Sequence, residues 1–183
     1  ICSVSRTAHA RYDAIGRSYC YFIHTRKDPF LPDFSYYFPY KVDIEKMNEA
    51  AKYLIGEKDF TTMAKLHSDV KTNICKVTDA FWEAGSPIGV TPLLPTAFQG
   101  VLSVSHGQKY EDSGAFCFSI SANRFLRNMV RAIVGSLLEV GRGKNEPEWI
   151  RDILLQKDRS LAGNSVPAHP LFLTKIEYPY RTF

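Results

Sequence analysis

Two hydrophobic periods meet between Gly114 and Lys144. Phe116, Phe118 and Ile120 alternate with Cys117, Ser119 and Ser121, the period of two of a strand with one packed face and one more polar face. From Asn123 the period becomes helical. Phe125, Leu126, Met129, Val130, Ile133, Val134, Leu137, Leu138 and Val140 cover most of a helical circumference, leaving a narrow polar strip with Arg124, Asn128, Arg131, Gly135 and Glu139. The pattern predicts a buried helix, capped by Asn123 and ended by a left-handed Gly141, of about a dozen and a half residues or about 25 Å.

The same reading predicts a strand over residues 17–25, where Tyr19, Tyr21 and Ile23 share one face. Residues 26–40 alternate prolines with aromatics and read as an extended, packed loop. A helix follows from a cap at Asp43 to Gly56, with Ile44, Met47, Ala50, Ala51 and Leu54 on one stripe. Further strands are expected over 71–77 and from Leu171 onward. Asn145 and Glu148 have the spacing of a capping box before a short amphipathic helix carrying Ile150, Ile153 and Leu154. Strands and helices in this irregular order predict an α+β fold: a largely antiparallel mixed sheet from the strands near Arg17, Lys71, Gly114 and Leu171, with the central helix across one face. Residues 78–112 carry Trp82, several prolines and glycines and an apolar run at 98–104 that suits a further strand or an edge hairpin.

Composition narrows the class. A chain of 183 residues, 45% hydrophobic and 23% charged, suits one compact globular unit or two packed halves. It holds no apolar run long enough to cross a membrane and no signal-peptide pattern, so no membrane partner and a cytoplasmic location are the default expectations. Cys2, Cys20, Cys75 and Cys117 are scattered without C-x-x-C or histidine spacing and are expected as buried free thiols rather than disulfides or zinc ligands. A net charge of +4 permits a nucleic-acid partner without requiring one.

The candidate chemistry centres on arginine. Arg124, Arg127 and Arg131 recur at spacings of three and four on an otherwise apolar segment. They either reach water or structural carboxylates, or, with Arg131 deepest and flanked by Ala132 and Gly135, line a cleft that holds a carboxylate or phosphate. Asp59 follows a helix-ending glycine and reads as a turn residue rather than a catalyst. His67 and Lys71 read as solvated or as phosphate contacts. Arg142 and Lys144 complement the helix dipole at its C-terminal end.

Residues 125–144, FLRNMVRAIVGSLLEVGRGK, resemble the helix motif of the TruA family of tRNA pseudouridine synthases, F-L-x-x-M-V-R-x-I-V-G-x-L-L-x-V-G. Residues 9–23 are similar to the family's H-A-R-F-x-A-x-x-R-x-Y-x-Y-x-I segment. Residues 161–178 are similar to its closing A-G-x-x-A-P-x-x-G-L-x-L segment, departing at Pro170 where glycine is usual. The resemblance spans nearly the whole chain, interrupted mainly at residues 78–112, which depart from the family's usual short connection and so read as an insertion at the periphery or at an oligomer interface. It implies the carboxy-terminal part of an enzyme that isomerises uridine to pseudouridine in the tRNA anticodon stem-loop, at positions 38 to 40. It implies no cofactor, a homodimer, Tyr19 and Leu171 against the target base, and Arg131 holding the catalytic aspartate. Arg124, Arg127, Arg142 and Lys144 are the further candidates for contact with the RNA. The family's R-T-D-x-G-V-H-A loop, which carries that aspartate, is absent; residues 5–10 echo it faintly without an aspartate in place. The 183 residues by themselves are therefore not expected to catalyse. Two other readings remain at this point: a non-catalytic RNA-binding module, and a structural domain with Arg131 in a buried ion pair.

Overall fold

A computed structural model describes residues 4–65, 71–84 and 114–180. Among them the chain runs β1 (Gly16–His24), β2 (Tyr36–Tyr37), α1 (Ile44–Lys52), β3 (Gly56–Asp59), β4 (Ile74–Ala84), β5 (Ala115–Ala122), α2 (Met129–Gly141), α3 (Trp149–Gln156) and β6 (Leu171–Glu177). One mixed sheet has the order β2-β1-β5-β4-β3. The second flank of β1 is shared: β6 pairs antiparallel along Gly16–Tyr21, and β2 pairs parallel at Ile23 and His24. All other pairings are antiparallel. This is the expected α+β architecture, with all three helices contributing to one core on one face.

The alternation of β1 and β5 explains that side preference. Tyr21, Ile23, Phe118 and Ile120 point into the core with the fully buried Met129, Ile133 and Leu137 of α2, each such side chain contributing about 1.5–3 kcal/mol of burial. The opposite face carries a small cluster of Cys20, Phe22, Cys117 and Phe172. Cys20, Cys75 and Cys117 are buried free thiols; Cys2 lies outside the described residues. The neighbouring Cys117 thiol holds the Cys20 thiol down to about 7, while Cys20 and burial push Cys117 well up.

Several boundaries differ from the expectation. The central helix begins at Met129, not after Asn123, because Asn128 takes a left-handed conformation (φ 71) that breaks the helical path. Asn123 instead extends the sheet: its side-chain carbonyl accepts from Lys76 N–H at 2.8 Å, and its N–H donates to the Lys76 carbonyl at 3.1 Å. Helix α2 also runs through Gly141. A Cβ there would meet Met47 Sδ at 2.3 Å, so glycine admits α1, and the left-handed turn falls at Gly143 (φ 72). No side chain caps α3 at Glu148. Its first N–H groups are taken by carbonyls, Trp149 to Glu146 and Ile150 to Pro147.

Strand β4 starts at Ile74 and continues to Ala84, so the first residues of the expected 78–112 insertion are regular sheet. Trp82 there is buried against Phe118, ring centroids 5.1 Å apart. The remainder, including the apolar run at 98–104, lies outside the described residues, as does His67.

Candidate active site

The six residues that peel off between β5 and α2 form one wall of an open cleft of about 1840 Å³. This exceeds the usual volume of a small-molecule pocket, about 300–1,000 Å³, and suits a macromolecular segment. The start of α2, the 10–15 loop, β1 and β6 complete it. Seven cations line the cleft: Arg11, Arg17, Lys65, Lys71, Arg124, Arg127 and Arg131. No aspartate or glutamate does so among the described residues.

Each wall has a local cause. Arg17 braces the loop by donating to the carbonyls of Ala14 and Asn123, both at 2.7 Å, and of Arg11 at 2.5 Å. The 123–128 turn is anchored at its far side by Lys65 N–H on the Arg127 carbonyl, 2.9 Å. Arg124 and Arg127 thus reach the cleft from a turn, not from helical spacing. Arg131 sits on the first turn of α2, half-buried, its Nε donating to the Val166 carbonyl at 2.6 Å. No ion pair to Arg131 forms among the described residues.

The β1 tyrosines divide their roles. Tyr19 is half-buried, lines the cleft, and stands edge-on to Phe125 at 5.1 Å. Tyr21, two residues on, is fully buried, and its hydroxyl donates to the Pro167 carbonyl at 2.9 Å. Burial, with a contribution from Tyr36, pushes that phenol far above its ordinary value against the opposing pull of Arg131, so it remains a donor. Leu171 opens β6 after a turn closed by its N–H on the Ala168 carbonyl, 3.1 Å, and also lines the cleft. Pro170, the departure from the family pattern, is buried, and its carbonyl accepts from Phe22 N–H at 3.2 Å.

Arg131, Tyr19, Leu171, Arg124 and Arg127 are therefore brought together, as is Lys71. Arg142 and Lys144 are not. They lie beyond the other end of α2, where the Arg142 guanidinium sits 3.8 Å from the Tyr40 ring centroid and Lys144 pairs with Glu139 at 2.7 Å. Asp59 is a turn residue, accepting from Thr61 and paired with Lys157 at 3.0 Å. Asp13 accepts from His9 N–H at 2.7 Å. Sequence reasoning missed Arg17, Arg11 and Lys65 as cleft residues, along with the carbonyls of Val166 and Pro167 that fix Arg131 and Tyr21. Main-chain acceptors leave no side-chain signal.

A family profile described as tRNA pseudouridine synthase matches residues 50–179, most of the chain and much of this cleft. The chain belongs to the tRNA pseudouridine synthase family. A tRNA pseudouridine synthase A of Bacteroides fragilis is 44% identical over 183 residues, covering 100% of this chain and 62% of the relative. One of Porphyromonas gingivalis is 45% identical over 180 residues, 98% of this chain and 62% of the relative. One of Bacillus subtilis is 31% identical over 172 residues, 93% of this chain and 59% of the relative. The chain thus spans about three fifths of the length of the curated relatives it matches. No helix of the described residues is long and apolar enough to cross a membrane.

Proposed function

We propose that the full-length protein isomerises uridine to pseudouridine in tRNA, in the anticodon stem-loop at positions 38 to 40, and does so without a cofactor. The observation that carries this reading is the cleft itself, which gathers seven cations, Tyr19 and Leu171 with no carboxylate among the described residues. Such a surface attracts a phosphodiester backbone and leaves an apolar-aromatic platform for one unstacked base.

The isomerisation breaks the N-glycosidic bond, rotates the uracil and rejoins it through carbon 5. A uridine in a stem must first leave the stack, at a cost of a few kcal/mol. Tyr19 and Leu171 offset part of that by covering the two faces of the extruded base. Tyr19 also presents a hydroxyl with no hydrogen-bond partner among the described residues, available for proton transfer. Arg124, Arg127 and Lys71 hold phosphates along the cleft. Arg131 receives the catalytic aspartate, which in this reading comes from outside these 183 residues, and keeps it ionised beside the sugar. Residues 1–183 form the carboxy-terminal domain, residues 78–112 contain an insertion, and the protein works as a cytoplasmic homodimer.

The test is tritium release from tRNA carrying 5-tritiated uridine, because substitution at carbon 5 expels that hydrogen. The full-length protein should release tritium. Arg131→Ala and Tyr19→Ala should each abolish release while tRNA still binds. Tight binding by the full-length protein without release would overturn the isomerase reading in favour of a non-catalytic RNA-binding module.

A further inference from the structure

Arg131 reaches the cleft from α2, but the groups that aim its guanidinium belong to another part of the chain. Val166 N–H donates to the Arg131 carbonyl at 3.3 Å, and Arg131 Nε donates to the Val166 carbonyl at 2.6 Å. One residue's main chain therefore grips Arg131 at both its backbone and its side chain. A guanidinium offers a carboxylate two bidentate edges, one using Nε and one using the two terminal nitrogens. With Nε taken, a carboxylate docks across the terminal pair, so the direction of the Val166 carbonyl sets the direction of docking.

Residues 163–167 are stitched down along their length. Gly163 N–H donates to Ser136 Oγ at 3.0 Å. A Cβ at Gly135 would meet the Asn164 carbonyl oxygen at 1.8 Å, so this segment lies directly on the backbone of α2. The Pro167 carbonyl takes the Tyr21 hydroxyl. Between these fixed points one side chain gathers two others: Ser165 Oγ accepts from Asn128 Nδ2 at 2.6 Å and from Arg159 Nη2 at 2.9 Å. Asn128 is the left-handed residue that starts α2, with φ 71, and Arg159 also reaches back to the Gly163 carbonyl at 3.3 Å. Ser165 thus ties the break before α2 to the segment that carries Val166.

We propose that Ser165 is a positioning residue: by joining Asn128 and Arg159 through one hydroxyl it holds the Val166 carbonyl on Arg131 and so orients the guanidinium for end-on docking of the catalytic carboxylate. The inference rests on the isomerase reading above. Ser165 touches no reacting atom; it acts through Val166 and Arg131.

The test uses the full-length protein in two measurements, tritium release under multiple turnover and solvent exchange of the Arg131 Nε proton by NMR of arginine-labelled protein without RNA. Ser165→Ala should lower kcat about ten- to a hundredfold, since small misplacements cost that much, with KM within about twofold of the parent because no RNA contact is lost. It should also speed exchange of the Arg131 Nε proton by about tenfold or more, as its acceptor is loosened. Ser165→Thr, which keeps the hydroxyl, should restore both. A Ser165→Ala protein with parental kcat and parental exchange overturns the proposal. So does a raised KM with unchanged exchange, which would make Ser165 an RNA contact. If the parent releases no tritium while Ser165→Ala still frees the Nε proton, the isomerase reading falls and the positioning of Arg131 stands.

Discussion

The two ends of α2 carry the same kind of side chain in opposite circumstances. At the C-terminal end Lys144 pairs with Glu139, and Arg142 lies over Tyr40; each cation meets a carboxylate or a π face. At the N-terminal end Arg131 bonds to one carbonyl and the neighbouring Arg17 to three. A carbonyl satisfies a donor without neutralising its charge. The first end is therefore electrostatically closed, and the second is left with a surplus to which the positive end of the helix dipole adds. Satisfaction of hydrogen bonds and compensation of charge are separate conditions, and a place where the first holds without the second is built for an anion.

The sharpest way to break this comparison is Arg131→Lys, which keeps the charge and removes the fork. An ammonium cannot bond Val166 and also present two parallel donors to a carboxylate. Isomerisation by the full-length protein should fall by about 10²–10³-fold, the usual loss when one preorganised donor is removed, with tRNA affinity within about twofold. Tritium release and filter binding on the same preparations check this. Parental turnover in the lysine variant would mean that charge alone, and not the aimed guanidinium, serves the site.

Next in size is Tyr21→Phe, which leaves the Pro167 carbonyl without its donor beside a fully buried ring. An acceptor stranded in this way costs about 1–3 kcal/mol. Chemical denaturation should show a loss of that size, whereas Tyr19→Phe, altering a half-buried residue, should cost much less. Equal losses from the two would remove the division of labour between the β1 tyrosines.

Periodicity made β1, β5 and α1 legible because each has one packed and one polar side; Asp43, for example, caps α1 by accepting from Lys46 N–H at 3.0 Å. It failed at 123–128. There Phe125 and Leu126 continue the apolar count into a turn that packs on the core without being helical, and an asparagine in the left-handed region gives no hydrophobic signal. It failed again at Gly141, where the glycine answers to Met47 of α1 and not to a chain reversal. In the site, Arg131, Tyr19 and Leu171 were visible through their family motifs. Arg11 and Arg17 sat in quoted motifs, but their place in the cleft depends on long-range geometry. Arg142 and Lys144 looked alike to Arg124 and Arg127 in sequence, since both pairs flank the same apolar run. Only the folded chain separates an arginine facing Tyr40 from one facing the cleft.

That separation gives a third prediction, smaller per residue. Replacing Arg124 and Arg127 together by alanine should weaken tRNA binding and lower the slope of log affinity against log salt by about 1.5, the sum for two phosphate contacts. Replacing Arg142 and Lys144 together should leave that slope unchanged. Titrations from low to moderate salt distinguish the two. A slope lowered equally by both double variants would mean that RNA runs the length of α2, and the contrast between its ends would lose its functional meaning.

The smallest effect concerns a carboxylate that the cleft does not use. Burial alone would raise the Asp59 pKa, but the hydrogen bonds from Thr61 and the pairing with Lys157 outweigh it and hold the carboxyl below its ordinary value of 3.8. A carboxyl whose pKa is depressed by folding contributes stability above its unfolded pKa and loses it as pH falls through the folded one. Its side chain is 23% exposed and that of Lys157 58%, so solvent screening limits the contribution to at most about 1 kcal/mol. Asp59→Asn keeps the turn-forming acceptor and removes only the charge. It should therefore be slightly less stable than the parent at neutral pH, with the difference shrinking as pH is lowered below 3.8, and tritium release at neutral pH should be unaffected. A large loss of release in this variant would show that Asp59 belongs to the reaction after all, and that the catalytic carboxylate need not come from outside these residues.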